Sequence, residues 1–179
     1  MSILLTIIGI IAGIIILILI IALFVKKEYV IERQIDINQP KEKVFDYIKY
    51  IKHQDDYSVW NQIDPSMQKT YKGSDGTVGF AYAWDSTNKK AGKGEQEIKS
   101  ITAGERIDME IHFIKPFEGV SNAFMSATAL SAGQTKVKWG IDGAMKYPMN
   151  FMMLFMNMEN MLGNDIAKGL SNLKVILEK

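Results

Sequence analysis

Cysteine is absent from the 179 residues, and histidine occurs only twice, at His53 and His112. The chain therefore has no thiol nucleophile, and two histidines without a ligand spacing between them argue against a zinc site. The missing cysteine leaves the redox compartment open. The serines have no histidine at a spacing that suggests a nucleophile–base pair. His53 lies in "YIKHQDDY" beside Asp55 and Asp56, where a solvated helix end competes with an acid–base pair. His112 shares its strand face with Asp108 and Glu110, which is a polar outer face. Charge of one sign is also missing: 21 basic side chains stand against 20 acidic ones. No basic stripe interleaves with aromatics, which excludes the footprint of a nucleic-acid binder. The lysines at 41–52 and 89–93 read as solvated surface.

What the chain does have is an uneven distribution of apolar residues. Residues 3–25, "ILLTIIGIIAGIIILILIIALFV", carry no charge and only Thr6 as a polar side chain. As a helix they extend roughly 34 Å, enough for a hydrocarbon core of about 30 Å. A buried core helix is the alternative, but it would need protein on every side. The run is too long for a signal peptide, lacks a basic region before it, and ends without a small-x-small pattern. Residues 1–27 therefore read as a single-pass anchor, with the membrane contacted by 3–25, and residues 28–179 as one domain. Lys26 and Lys27 follow the span, against Glu28, which predicts that the domain is cytoplasmic.

Beyond the anchor, "YVIERQIDI" (29–37) alternates as a strand with one buried face, interrupted by Arg33. "NQPKEKVFDYIKYI" predicts a helix, with Asn38 or Gln39 as cap, Pro40 in the first turn, and Val44, Tyr47, Ile48 and Ile51 on one stripe. A less regular stretch follows, through Trp60 and the loop at Asp64–Pro65. From residue 68 short strands are separated by "SDGT", "STNKKAGKG", "TAGE", "KPFEGV" and "SAGQ", which predicts an antiparallel meander. Within it, Val78, Phe80, Tyr82 and Trp84 alternate on one face. A helical stripe then runs from Phe151 through Phe155, Met158, Leu162, Ile166, Leu170 and Leu173 to Leu177. The expected fold is α+β: a curved six- to seven-stranded meander packed on one long C-terminal helix, with the transmembrane helix in front.

Seven of the eleven methionines fall between Met145 and Met161. Three explanations compete: a deformable wall around a ligand, a surface meeting a membrane or partner, and a soft-metal site. The last needs Cys or His nearby and finds neither. Met149, Met152, Met153 and Met156 lie off the main stripe, so they are candidates for a membrane, protein-partner or self-association face.

This order of elements resembles the START-like superfamily, which includes the birch-pollen-allergen helix-grip fold, polyketide cyclases and dehydrases, lipid-transfer domains and the Hsp90-activator domain. The segments "IDINQPKEKVFDYI", "YSVWNQIDP", "GTVGFAYAWD", "GKGEQEI", "IDMEIHFIKPFEG", "QTKVKWGIDG" and "GLSNLKVILE" are similar, in that order, to its bacterial SRPBCC branch and cover about 29–178. The resemblance implies an apolar cavity between sheet and helix, holding a lipid, sterol, polyketide or other hydrophobic small molecule; no cofactor is expected. It does not imply one chemistry. Strand alternation toward the helix makes Tyr82, Trp84, Met109, Ile111, Phe113, Phe124, Trp139, Ile141, Phe151, Phe155 and Met158 the cavity candidates. Gln96, Ser126 and Thr128 are its polar members. The same rings would also serve to fill a solid core. The expected function is non-catalytic binding of an apolar small molecule or lipid close to the bilayer. An interaction module using the Met-rich face, and a cyclase or isomerase acting through Tyr82 or an inward acid, are the alternatives.

Overall fold

In the computed structural model, which describes residues 2–179, the apolar run forms one uninterrupted helix, α1 (Ser2–Phe24). Among the described residues it is the one helix long and apolar enough to cross a membrane. Of its most apolar stretch only 6% is buried by the rest of the chain. Its last turn is different: Ala22 is fully buried, because the C-terminal part of the domain folds back against it.

The domain is a seven-stranded antiparallel sheet. Its strands are β1 (Glu28–Ile37), β2 (Gln68–Lys72), β3 (Ala81–Asp85), β4 (Lys93–Thr102), β5 (Arg106–Lys115), β6 (Gly119–Ser131) and β7 (Gln134–Ala144). The sheet order is β1-β7-β6-β5-β4-β3-β2. Strands β2 to β7 form the expected meander, and the first strand closes beside the last. The chain crosses from β1 to the far edge through α2 (Lys41–Ile48), a 3₁₀ turn, and two single-turn helices, α3 (Gln54–Tyr57) and α4 (Val59–Gln62). Pro40 itself occupies the N-cap of α2, with no side-chain cap from Asn38 or Gln39. Those two residues instead hold the terminal helix. The Asn38 amide donates to Glu178 Oε1 at 2.5 Å, and Gln39 Nε2 donates to the Leu177 carbonyl at 2.8 Å.

One strand starts later than its alternation predicts. Gly79 takes φ +86°, so the backbone turns there and Val78 points outward, 61% exposed. The regular strand begins at Ala81, although Gly79 and Phe80 already exchange backbone bonds with Ile98.

The C-terminal stripe is two pieces. Met149–Leu154 is a 3₁₀ helix, the chain turns through Phe155–Asn157, and only Met158–Leu177 forms the long helix, α5. Asn157 is the reason: its side chain accepts the Asn160 amide proton at 2.9 Å, an N-cap that restarts the helix. From there Ile166, Leu170, Leu173 and Leu177 are buried, as the period predicts. Helix α5 packs on β1 and β7 and against α3 and α4. Arg33 lies beneath its start, paired with Glu159 at 2.7 Å, and Gly163 leaves room for the guanidinium. Gly169 does the same for the ring of Trp139. A Cβ there would stand 2.7 Å from Trp139 Cζ3.

These two glycines make a paired prediction. Alanine in a helix gains about 1 kcal/mol over glycine. At Gly169 that gain meets an indole wedged edge-on between Tyr57 and Trp60, with ring centroids 5.7 Å from each. Gly169→Ala is expected to lower stability by about 1–3 kcal/mol in thermal or denaturant melts of the detergent-solubilised chain. Gly163→Ala displaces only the mobile end of Arg33 and should cost clearly less. Equal losses would show that Trp139 is not fixed.

Candidate functional site

The inner face of the sheet and the α3–α5 layer enclose a cavity of about 560 Å³. Its floor is built by alternation on four strands. Tyr82 and Trp84 come from β3, Gln96 from β4, Ile111 and Phe113 from β5, and Trp139 and Ile141 from β7. The registers Tyr82↔Gln96 and Gln96↔Ile111 set these side chains in one row across the sheet. Ala123 on β6 leaves the space above it open, between larger neighbours. The roof is Gln54 and Ser58 with Trp60, Asn61, Ile63 and Met67, and Met161, Leu162 and Asp165 of α5 form one side.

The aromatic walls are braced from behind. Tyr82 stacks between Tyr71 and Trp84, at 5.6 and 5.7 Å, and Trp84 meets Phe113 edge-on at 6.3 Å. Trp84 Nε1 donates to the Ala91 carbonyl at 3.0 Å, which satisfies its one polar atom. Fixed rings keep the space from collapsing.

Two buried amides break the apolar lining. Gln54 is 3% exposed and Gln96 is 7% exposed. Each donates its side-chain N–H to the thioether of Met109, at 3.9 and 2.8 Å respectively. A thioether is a weak acceptor, so both amides are poorly paid in hydrogen bonds for their burial. Met109 thus sits behind the cavity as the amides' partner rather than in its surface. Burial, with Asp55 and Tyr71 nearby, pushes the Tyr82 hydroxyl well above its ordinary pKa. It is a neutral phenol. Tyr57 is raised in the same way, mainly by complete burial, and its hydroxyl donates to Met125 Sδ at 3.2 Å.

The sites expected from sequence divide clearly. Tyr82, Trp84, Gln96, Ile111, Phe113, Trp139 and Ile141 are brought together. Phe124, Ser126 and Thr128 are not: β6 has the opposite phase, with Ser121, Ala123, Met125 and Ala127 buried. Met125 pairs with both Ile107 and Trp139, so Phe124 must face outward. There it covers Gly140 and lies under the Arg106 guanidinium, 3.9 Å from its ring centroid. "NAFMSA" places two large apolar residues side by side among small ones, and alternation alone cannot choose between them. Phe151 of the 3₁₀ helix and Phe155 just after it meet edge-on at 5.3 Å, outside the cavity, and Phe155 is 77% exposed. Met158 opens α5 and packs on the core, while the next turn supplies Met161 and Leu162 to the cavity. Met149, Met152, Met153 and Met156 also stand outside it.

Sequence reading missed the roof. Gln54, Ser58 and Asn61 belong to a stretch with no sustained period, and "QDDYSVW", of which Gln54, Tyr57 and Ser58 are buried, is legible only as irregular. His53 is structural: it stacks on Tyr47 at 4.2 Å, and its Nδ1 lies 2.8 Å from the Tyr47 carbonyl. His112 pairs with Glu110 on the outer face at 2.8 Å. Among the described residues, no three His, Asp or Glu side chains cluster as metal ligands.

Neither a family model nor a curated protein matches the sequence. Solved structures do match by shape. A Thalictrum flavum norcoclaurine synthase variant bound to a transition-state analogue superposes with a TM-score of 0.63 at 11% identity, over 85% of this chain and 95% of its own. A Chromobacterium violaceum protein gives 0.58 at 15%, over 84% and 97%. The Aha1 dimer of Colwellia psychrerythraea gives 0.57 at 13%, over 84% and 96%. With seven antiparallel strands gripping a C-terminal helix around a cavity, residues 28–179 have the helix-grip fold that these solved structures share.

Proposed function

We propose that the protein is a membrane-anchored binding domain that holds a hydrophobic small molecule or lipid between its sheet and terminal helix, without catalysis. The cavity carries the reading. Its volume of about 560 Å³ lies within the range of small-molecule sites, and so does its make-up of apolar walls with a few convergent polar groups. Gln54 and Gln96 define what the ligand offers: a mainly apolar body with one hydroxyl, carbonyl or carboxyl group that replaces the thioether as hydrogen-bond partner. The likeness to a synthase bound to a small-molecule analogue supports a ligand in this place and leaves the chemistry to the side chains. Here the phenol is held neutral, and the one lining carboxylate, Asp165, comes from the terminal helix at the side of the cavity. In this reading helix α1 is the anchor, and Lys26 and Lys27 after it favour a cytoplasmic domain.

Mass spectrometry of apolar compounds extracted from the purified full-length chain tests the reading directly. A co-purifying amphiphile is expected. An empty protein that also fails to bind an apolar fluorescent probe would sink the proposal. Ala123→Trp, which fills the cavity from β6, should weaken probe binding at least about tenfold, or about 1.4 kcal/mol, with the melting temperature preserved. Gln54→Leu with Gln96→Leu should stabilise the unliganded chain by about 1 kcal/mol while weakening the co-purified ligand about tenfold. Unchanged affinity would remove the amides from recognition. For orientation, Lys179→Cys should resist an impermeant maleimide in intact cells and react after lysis.

A further inference from the structure

The mouth of the cavity and the end of the anchor lie at the same end of the molecule. Strand pairing shows this directly. Glu28, where the chain enters from α1, pairs with Ala144, and Gly143 pairs with both Tyr29 and Ser121. Phe113 then pairs with Gly119, Lys115 with Lys93, and Lys93 with Asp85. The loops 86–92 and 116–118 therefore rise from the end of the sheet that faces α1, and both contribute to the rim through Lys90, Ala91, Lys115 and Pro116. They touch each other where Gly92 meets the Lys115 carbonyl too closely for any Cβ. The first turns of α5 complete the rim. The opposite turn, at Ser131–Gln134, is a strand length away, roughly 40 Å for the 13 residues of β6.

The anchor is not a loose tether. Asn150, fully buried in the 3₁₀ segment, donates its side-chain amide to the carbonyls of Ala22 and Val25, at 2.7 and 2.9 Å. Carbonyls at a helix C-terminus lack partners within the helix, so Asn150 caps α1 from a distant part of the chain. The Met145 amide donates to the Lys27 carbonyl at 2.8 Å, extending the join. Met153 and Leu154 lie against Ile21, Phe24 and Val25 in a shallow apolar depression.

This end also has the composition of a bilayer-facing surface. From Tyr147 to Met158 there is no charged residue, although Met149, Leu154 and Phe155 are 47, 55 and 77% exposed. Phe117, at the tip of a rim loop, is 67% exposed. Around these apolar tips stand Lys26, Lys27, Lys89, Lys90, Lys115 and Lys146, all exposed. Among the described residues none has a carboxylate within ion-pair distance. The acids at this end are Glu28, Glu118, Asp165 on the rim, Asp64 and Asp142, which accept from Ser86 and Asn122, Glu159 paired with Arg33, and Asp85 paired with Lys93.

Building on the anchored binding domain proposed above, we propose that this end docks on the bilayer that α1 crosses. The 3₁₀ segment and Phe117 enter the interface, and the six lysines meet anionic phospholipid headgroups. The cavity mouth then opens onto the membrane, and its ligand is a membrane-resident amphiphile that exchanges with the bilayer. Each lysine near an anionic surface contributes about 1 kcal/mol, and the rigid join holds the mouth in register.

The chain has no cysteine of its own, so single fluorophores can be placed cleanly. The full chain is reconstituted in phosphatidylcholine vesicles with or without phosphatidylglycerol. Quenching by lipid-borne quenchers is read at Ile14→Cys, Phe117→Cys, Phe155→Cys and Ser131→Cys. Expected is strong quenching at 14, 117 and 155 and several-fold less at 131. Quenching at 117 should rise with phosphatidylglycerol and fall at least twofold on Lys89→Glu, Lys90→Glu and Lys115→Glu together. It should also fall in Asn150→Leu, with position 14 unchanged. Quenching at 14 but not at 117 and 155 overturns the docking and leaves the anchor standing. Cross-linking between copies through position 155 in that case would assign the face to self-association. Equal quenching at 131 and 117 overturns it too, because the domain would then lie on its side. Insensitivity to both phosphatidylglycerol and lysine reversal overturns the role of the lysines. No quenching at 14 sinks the anchor reading itself.

Discussion

The cavity depends on a mismatch between one helix and one sheet. Helix α5 packs over β1 and β7, at one side of a seven-stranded sheet whose apolar inner face continues through β6, β5, β4 and β3. A single helix about 10 Å wide cannot cover strands spaced about 4.8 Å apart over that distance. Helix α2 packs over β6 and β7, and the rest of the face is roofed by α3 and α4, only one turn each, which reach the sheet through Gln54 and Tyr57. The space left between them is the site. Trp139 stands at the join, contacted by Gly169 from α5 and by Tyr57 and Trp60 from the roof, so the position of one indole ties helix, roof and sheet together.

Apolar walls alone would favour collapse, and two features oppose it. The rings are braced by one another in a stacked row from Tyr71 to Trp84. The polar contents cannot be satisfied by closing up, because Gln54 and Gln96 share a thioether between them. An amide buried against sulfur forgoes most of a hydrogen bond, a loss of about 1–3 kcal/mol. In the proposed reading a ligand oxygen would restore it. Binding energy that the empty protein lacks is thereby built into the site, and the same feature makes the empty state less stable than an all-apolar version would be.

Much of the architecture was legible in the sequence because it rests on periodicity. The apolar run at 3–25, the meander, the terminal helix and Arg33 as the intruder on β1's inner face all follow from patterns of two or 3.6. Where periodicity is ambiguous the reading failed. Phe124 and Met125 are adjacent, and only pairing with Ile107 and Trp139 decides which enters the core. The helical stripe passes through Phe151 and Phe155 without a gap, yet Asn157 caps a new helix and ends the old one. The amide–backbone bond responsible is local and strong, and it overrides a favourable pattern. The roof was invisible for another reason: α3 and α4 are too short to show a period, and their buried polar residues look like surface.

The methionine-rich segment shows how a correct observation can carry the wrong geometry. Apart from Met161, its side chains are not the wall of the cavity, because the helix break at Phe155–Asn157 lifts the residues before it away from the sheet and toward α1. That displacement gives their softness a different use. A segment that is apolar, uncharged and exposed would be costly in water but suits an interface whose composition changes. Unbranched thioether chains adapt to such surroundings without fixed packing. Rigidity is needed only at one point, and there the chain uses Asn150, a side chain with two donors for carbonyls that the helix leaves unpaired. On the docking proposed above, soft contact outside and the directional Asn150 bonds inside would let the domain keep its mouth turned toward a fluid surface.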